Sequence, residues 1–279
     1  MTGAAGMLGQ EVCAKAPNWA AVAPLCRDDG DLSVNDDAHR ALMAVSPAII
    51  VHCAAYTDVD GCTRDPARAR ANNVVATENV AGVAGELRAR LLYVSTDYVF
   101  DGSKCEPYLE DDEPAPLNVY GETKLAGERA VSSAAPDHLI VRTQWLYGPG
   151  GKNFVASILN AARSRKHLRV VQDEQGCPTY APDLAEAIWR LLETEAGGIV
   201  HVTNQGACSR LELALAALAE AGLSEVEVEG IPSAAWDSPT TRPLDSVLGS
   251  KRLRAIGVPP LRPWRDALRE YVTERMAEE

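Results

Sequence analysis

A tyrosine and a lysine, one helical turn apart, have the clearest chemical potential in this sequence. Tyr120 and Lys124 stand at positions i and i+4 of an amphipathic segment, so a helix would place both side chains on one face. An ammonium group beside a phenol stabilises the phenolate, so Lys124 is expected to lower the pKa of Tyr120 from its usual value of about 10. Tyr120 would then protonate a carbonyl oxygen while a hydride reaches the carbon. The same spacing is also typical of exposed Tyr–Lys pairs.

Thr96 makes the catalytic interpretation more specific. It follows an apolar run at residues 91–95, where a buried strand is expected to end in a polar loop. Its hydroxyl would hold the carbonyl oxygen by a hydrogen bond while Tyr120 protonates it. A hydroxyl at a strand end, a Tyr–Lys pair and a glycine-rich loop together predict a reductase site far more specifically than any one of them.

The glycine-rich loop stands at the start of the chain. Gly3, Gly6 and Gly9 form the spacing G-x-x-G-x-x-G, with Met7 and Leu8 between them. Glycines allow positive φ and let backbone N–H groups approach a pyrophosphate at a helix N-terminus. The alternative is an incidental Gly/Ala-rich helix start. The position of the loop, ahead of the first strand–helix alternation, favours a dinucleotide site.

The end of the next apolar run bears on the choice of cofactor. There Cys26 and Arg27 stand where an NAD enzyme often has an acid, so Arg27 is expected to face a 2′-phosphate. The alternative is that Arg27 is a solvated loop charge beside two aspartates. Asp31 and Leu32 are plausible adenine contacts. The sequence therefore favours NADPH, with NADH also possible.

Short apolar runs alternate with amphipathic segments, which predicts a doubly wound α/β fold of the Rossmann-like type. We expect a dinucleotide-binding domain over residues 1–147. A smaller, mainly substrate-binding C-terminal lobe is expected over residues 148–279, with some elements returning to the first sheet. Strands are predicted at 19–25, 48–54, 91–95, 139–143, 169–171 and 199–202, and helices at 74–88, 120–131, 154–165, 181–193, 211–221 and 264–276.

We expect the first strand of this fold to be truncated in this sequence. A strand of about 5–6 residues should precede the glycine loop, but only Met1 and Thr2 precede Gly3. We hypothesise that the natural protein begins upstream and that Met1 is a misassigned start. The alternative is that the chain starts here and folds with a gap or a repaired sheet.

Composition excludes several classes of partner. The formal net charge is −12 and no basic run occurs, so nucleic acid is not expected. The apolar runs are too short to span a bilayer, and no signal peptide is visible. Seven scattered cysteines without a C-x-x-C pair are typical of reduced thiols in a cytoplasmic protein. No metal is predicted, because the five histidines lack metal-binding spacing.

The chain resembles the dTDP-4-dehydrorhamnose reductase family of extended short-chain dehydrogenases, nearly end to end. The resemblance rests on AAYTDVD at 54–60, STDYVFDG at 95–102, YGETK at 120–124, VRTQWLYG at 141–148, NFV at 153–155, GCPTYAPDLA at 176–185 and RP at 242–243. It implies that Thr96, Tyr120 and Lys124 are catalytic. It also implies a cofactor site and a substrate site. The cofactor site would include Ala54, Ala55, Thr57 and Asn73, together with Tyr120 and Lys124, and the substrate site Thr57, Val59, Thr96, Asp97, Tyr98, Trp145 and Asn153. The alternative for Trp145 is an ordinary buried aromatic.

Lys152 and Arg242 are candidates for the substrate diphosphate, with plain surface charge as the alternative for each. The implied reaction is reduction of a dTDP-4-keto-6-deoxy-L-hexose at C4, giving dTDP-L-rhamnose, by a monomer or homodimer. The alternatives are a related reductase of the dihydrostreptose type, or a non-catalytic subunit like the regulatory subunit of methionine adenosyltransferase. The sequence departs from the family pattern at Arg210, where an aromatic is frequent, and at Asp245, where an amide is usual. Pro182 stands where a metal-bridged dimer would need an acid.

Overall fold

Helices and parallel strands alternate along the chain. The computed structural model describes residues 1–277, and within this range none of the helices has the length and hydrophobicity to cross a bilayer. The helices are α1 (Met7–Ala14), α2 (Asn35–Val45), α3 (Val59–Arg64), α4 (Pro66–Arg70), α5 (Ala76–Leu87), α6 (Val119–Ala134), α7 (Phe154–Ala162), α8 (Ala181–Leu192), α9 (Arg210–Glu220), α10 (Lys251–Ala255) and α11 (Trp264–Ala277). The strands are β1 (Ile49–His52), β2 (Arg90–Thr96), β3 (His138–Thr143), β4 (Leu146–Tyr147), β5 (His167–Val171), β6 (Gln175–Gly176), β7 (Thr179–Tyr180), β8 (Gly198–His201), β9 (Cys208–Ser209) and β10 (Glu227–Ile231).

The central sheet contains four parallel strands in the order β1-β2-β3-β8. Helices cover both of its faces, which explains why these strands are apolar over successive residues. On one face, α1 and α8 pack with Leu92, Leu139 and Val200. On the other face, α5 packs with Leu91 and Ile140. This arrangement confirms the predicted doubly wound α/β fold.

The predicted strand at residues 19–25 is wrong. Leu25 forms a single parallel bridge with Thr2, which also bridges His52 of β1. Thr2 thus occupies the position of the first strand, and the N–H of Leu25 donates to the Met1 carbonyl over 2.7 Å. Residues 19–23, 47–49 and 51 line an apolar cavity beside this point.

The C-terminal part of the chain builds a second core beside the sheet. Within it, α7, α9 and α11 pack around Leu159, Leu213 and Leu268. The predicted strand at 169–171 exists as β5, but it pairs in parallel with β10 and not with the central sheet. By contrast, β8 and α8 return to the first sheet. Two further pairs of short strands, β4–β7 and β6–β9, form in the second half of the chain. Residues in and next to these strands contribute to the site described next.

Candidate active site

The glycine turn packs directly against the end of β1. Gly3 has a φ of +70°, and a Cβ there would lie 2.6 Å from the backbone nitrogen of Ala54. A Cβ on Gly9 would lie 2.1 Å from the carbonyl oxygen of Gly3. Only glycine allows both the positive φ and this close approach. Helix α1 begins within this glycine turn. The first N–H groups of a helix have no intrahelical partner, so those of α1 are available to bind an anion at the turn.

The glycine turn forms one wall of a cavity of about 380 Å³, here called the central cavity. The opposite walls come from the ends of β2 and β3 and from α6. This cavity brings together most of the side chains that the sequence singled out, from segments far apart in the chain. It is lined by Gly3, Gly6, Met7, Leu8, Gly9, Ala55, Thr57, Val59, Thr96, Asp97, Tyr98, Tyr120, Lys124, Trp145 and Lys152, and also by Cys53, Gln144 and Arg210.

A second cavity, the N-terminal cavity, continues around the turn. It shares Gly3, Gly6, Cys53 and Ala55 with the central cavity, so the two form one groove. Its own lining includes four predicted cofactor residues, Arg27, Asp31, Leu32 and Ala54. Arg27 is exposed at its rim. The Asp31 carboxylate accepts hydrogen bonds from the Ser33 backbone and hydroxyl, which lower the pKa of Asp31.

Lys124 lies deep in the central cavity. Asn118 caps the start of α6 by accepting from the N–H of Gly121 over 2.9 Å, which fixes the helix that carries Tyr120 and Lys124. The Lys124 ammonium donates to the Val94 carbonyl over 2.7 Å. Burial lowers the pKa of Lys124 to about 7, although the Glu128 carboxylate opposes this shift.

The pKa of Tyr120 is raised, so the expectation that Lys124 lowers it is wrong for this structure. Burial is the main cause, and the negative charge of Asp97 adds to it. The nearby Thr96 hydroxyl opposes the rise in the pKa of Tyr120. Meanwhile the Lys124 ammonium is bonded to a backbone carbonyl. Tyr120 is consequently protonated at neutral pH, which is the state a proton donor needs.

Asp97 is a buried carboxylate with both oxygens engaged. One oxygen accepts from the Thr96 hydroxyl over 3.0 Å. The other accepts from the Ser246 hydroxyl over 2.7 Å and from the Gln144 amide over 2.9 Å. Burial raises the pKa of Asp97 to about 6 against the effect of these bonds. Asp97 thus orients Thr96 and ties the end of β2 to the C-terminal segment around residue 246.

Trp145 forms the far wall of the central cavity in an unusual conformation. Its φ of +47° is rare for a residue with a side chain. The indole lies over Gly176, where a Cβ would come within 2.5 Å of the ring. The Arg210 guanidinium lies over the Trp145 ring, with its central carbon 3.6 Å from the ring centre.

Two of the predicted site residues do not line any of these cavities, because their amides are bonded elsewhere. Asn73 accepts from the N–H of Tyr56 over 2.7 Å and donates to the Thr123 hydroxyl over 3.1 Å, so it connects the loop after β1 to α6. Asn153 caps α7 and donates to the Gly148 carbonyl over 2.9 Å. Both residues brace segments that line the central cavity.

Arg242 lines a third cavity, here called the outer cavity. Its walls are mostly apolar and are formed by Phe154, Ser157, Ile158, Ala161, Arg165, His167, Leu168, Arg169, Val170, Val171, Glu174, Arg210, Trp236 and Arg242. Arg242 pairs with Asp60 over 2.8 Å, whereas Lys152 is exposed at the central cavity near the glycine turn. The two cations predicted for one diphosphate therefore line different cavities.

Sequence reasoning missed several residues of the site. Gln144 lies within a quoted motif but carried no predicted role, and Ser246 had no motif around it. Arg210 was noted only as a departure from a family pattern. Glu174 and Trp236 gave no local signal, because only the tertiary fold brings them to the outer cavity.

Comparison with known proteins gives a consistent result. A family model described as RmlD substrate binding domain matches residues 1–277. A dTDP-4-dehydrorhamnose reductase of Streptomyces griseus is 41% identical over 97% of this chain and 91% of its own length. A probable dTDP-4,6-dihydroxy-2-methyloxan-3-one 4-ketoreductase of Streptomyces antibioticus is 39% identical over 100% of this chain and 96% of its own length. The crystal structure of a Bacillus anthracis dTDP-4-dehydrorhamnose reductase in complex with NADP superposes with a TM-score of 0.95 at 34% identity, covering 98% of this chain and 97% of that one.

Proposed function

The chain belongs to the RmlD family, and on that premise we propose that it uses NADPH to reduce the C4 keto group of a dTDP-linked 4-keto-6-deoxy sugar. The proposed substrate is dTDP-4-dehydrorhamnose, and the product is dTDP-L-rhamnose. One observation carries the proposal: Thr96, Tyr120 and Lys124 line the same cavity as the glycine turn. A proton donor and a dinucleotide groove thus meet at one place.

The groove around the glycine turn fits a dinucleotide. A pyrophosphate needs backbone N–H groups that it can approach closely, and the missing Cβ atoms of Gly3 and Gly9 leave that room. Arg27, exposed at the far end of the groove, is the proposed partner of a 2′-phosphate. Asp31, Leu32, Ala54 and Ala55 line the same part of the groove. When bound, NADPH supplies the hydride.

Tyr120 is the proposed proton donor. The phenol is protonated at neutral pH, so it can deliver a proton to the keto oxygen as the carbon accepts the hydride. When the substrate binds, the Thr96 hydroxyl is proposed to turn its single O–H from Asp97 to the keto oxygen and to orient that oxygen by a hydrogen bond. Lys124 lines the same cavity, and its positive charge is proposed to stabilise the phenolate that remains after the transfer, against the effect of burial, which raises the pKa of Tyr120. Each of these groups is positioned by buried contacts, which is what a precise proton transfer requires.

The sugar is proposed to lie in the central cavity beside Thr57, Val59, Tyr98 and Trp145, all of which line it. The outer cavity is the proposed place of the nucleoside. Its apolar lining suits a nucleobase, and Trp236, which is 48% exposed, offers an aromatic face for stacking. With the sugar on one side and the nucleoside on the other, the substrate spans the two cavities.

The test is an assay of NADPH oxidation. Purified protein is mixed with NADPH and dTDP-4-dehydrorhamnose, and the product is compared with authentic dTDP-L-rhamnose by chromatography. Loss of NADPH absorbance with formation of dTDP-L-rhamnose is expected. Tight NADPH binding without oxidation by any dTDP-4-keto sugar would contradict the proposal and favour a non-catalytic binding role.

A second keto sugar is the alternative substrate within the same reaction class. The 39% identical Streptomyces antibioticus relative, named as a 4-ketoreductase of a different dTDP-sugar, favours including such substrates. The assay is therefore run with a panel of dTDP-4-keto sugars, among them the precursor of dihydrostreptose. A kcat/KM that is highest for another member of the panel would assign the protein to that sugar.

A further inference from the structure

Arg210 is the residue at which the central and outer cavities meet. Among residues 1–277, it is the one side chain that lines both. A ligand with its sugar beside Tyr120 and its nucleoside beside Trp236 must therefore pass Arg210. In a nucleotide sugar, the group between these two ends is a diphosphate, which carries two negative charges.

Stacking holds the Arg210 guanidinium in place. Its central carbon lies 3.6 Å from the centre of the Trp145 ring and 5.1 Å from the centre of the Phe154 ring. An arginine fixed against aromatic faces loses little conformational freedom when it binds an anion. The side chain is 15% exposed, so the guanidinium is also partly shielded from water.

The donors of Arg210 are only partly used by the protein. Its Nε donates to the Glu174 carboxylate over 3.4 Å, a long contact for a charged pair. Across the described part of the chain, its two terminal nitrogens make no hydrogen bond to another residue. Two terminal N–H₂ groups of a planar fork match the spacing of phosphate oxygens. Glu174 lies beside this fork and is more than nine-tenths buried. An incoming anion would compete with the Glu174 carboxylate for Arg210 and would be repelled by its negative charge.

The charges around the junction favour an anion. The positive charge of Arg210 reaches Asp97 and Tyr98, because it opposes the rise in pKa of both groups. Arg242, paired with Asp60, lines the outer cavity together with Glu174. Arg165 and Arg169 also line the outer cavity, so positive charge predominates there, and Arg210 is the described arginine that lines the central cavity as well.

We propose that Arg210 is a specificity-determining residue that binds the diphosphate of the substrate, and that Glu174 holds it at the junction until the diphosphate arrives. This inference rests on the proposed function, because it assumes a nucleoside diphosphate sugar as the ligand. It assigns a role to a side chain that neither the Tyr–Lys pair nor the glycine turn requires. The consequence is selection for diphosphate-linked sugars over nucleosides and free sugars.

The test compares dTDP with thymidine, two ligands that differ in the diphosphate. Calorimetry gives the Kd of each for the wild type, Arg210→Gln and Glu174→Gln, with Arg269→Gln as a control that removes a charge on the exposed face of α11. Arg210→Gln is expected to weaken dTDP binding by about 10- to 100-fold, as for the loss of charge-assisted hydrogen bonds, and to leave thymidine unchanged. Glu174→Gln is expected to tighten dTDP binding several-fold. The Kd for NADPH, measured for each variant, reports whether the fold is retained.

The possible outcomes distinguish failure of the proposed function from failure of the proposed role of Arg210. If the wild type binds neither dTDP nor thymidine, the proposed function fails and this inference fails with it. If the wild type binds dTDP and Arg210→Gln binds it equally well, only the inference is overturned. Equal losses for dTDP and thymidine would also overturn it, because Arg210 would then merely shape the cavity. In turnover, Arg210→Gln is expected to raise KM for the sugar nucleotide far more than it lowers kcat.

Discussion

Removal of the Glu128 carboxylate is expected to destabilise the protein strongly. Glu128 lies on the buried face of α6 and pairs with Arg142 of β3 through two hydrogen bonds of 2.8 and 2.7 Å. It also accepts from the Ser95 hydroxyl over 2.6 Å, directly before Thr96. The side chains of Glu128 and Arg142 are only 4% and 1% exposed, so water cannot replace the lost carboxylate.

The magnitude follows from the unpaired cation. Glu128→Gln preserves the shape of the side chain but leaves the Arg142 guanidinium buried without its counter-ion, which typically costs about 3–5 kcal/mol. Each kcal/mol lowers Tm by about 2–4 °C in a protein of roughly this size, so Tm should fall by about 6–20 °C. The Gln amide would in addition turn one acceptor oxygen into a donor that faces Arg142 or Ser95.

Thermal and urea unfolding of Glu128→Gln measure this loss. The matched control is Glu122→Gln, which removes the same charge from the exposed first turn of the same helix and should cost at most about 1 kcal/mol, the usual effect of a first-turn carboxylate on the helix dipole. A double variant with Arg142→Met should recover much of the stability, since both buried charges are then gone. If Glu128→Gln costs no more than Glu122→Gln, the reasoning about the buried pair is refuted.

Three further predictions concern catalysis. Tyr120→Phe should lower kcat by at least about 100-fold, as expected for loss of a general acid, with unchanged NADPH affinity; near-normal turnover would exclude Tyr120 as the acid. Cys26→Asp should shift preference toward NADH, because the new carboxylate repels a 2′-phosphate beside Arg27 and accepts from a free hydroxyl; a wild type that strongly prefers NADH would contradict the role given to Arg27. The pKa of Lys124 is depressed to about 7, and only the charged ammonium stabilises phenolate. The value of kcat/KM should therefore fall as pH rises through about 7, and a profile that stays flat well above neutral pH would remove Lys124 from that role.

The fold was predictable where the signal is local. The apolar runs that became β1, β2, β3 and β8 need helices on both sides, and the segments between them carry helical periodicity. Pairing is not local, which explains why the strand predicted at 19–25 was wrong and why the partner of the strand at 169–171 could not be predicted. Residues 19–25 are apolar enough for a strand but meet only Thr2 in register. Residues 167–171 form a strand, yet their partner is β10, whose sequence alternates charged residues with small or apolar ones.

The candidate site was predictable as far as it depends on spacing within one segment. Tyr120 and Lys124 share a helix face, and Thr96 stands at a strand end, so the positions of all three could be predicted from the sequence. Burial could not be deduced, and it reversed the expected direction of the Tyr120 pKa shift. The contacts of Asp97 with Ser246 join residues far apart in the chain. The position of Arg210 over Trp145 has the same origin, since only the tertiary fold brings the start of α9 beside the residue before β4.

Trp145 and Gly176 have to change in a fixed order during evolution, if they change at all. Any side chain at position 176 would put its Cβ within 2.5 Å of the indole. A substitution of Gly176 would therefore clash with Trp145 and disrupt the packing as long as Trp145 is present. A smaller residue at position 145, such as Asn or Gly, would relieve a backbone conformation that costs about 1–3 kcal/mol. It would also take away the surface on which Arg210 stacks. Lineages that descend from this sequence should therefore lose the tryptophan before they lose the glycine, and with it the present form of the junction between the two cavities.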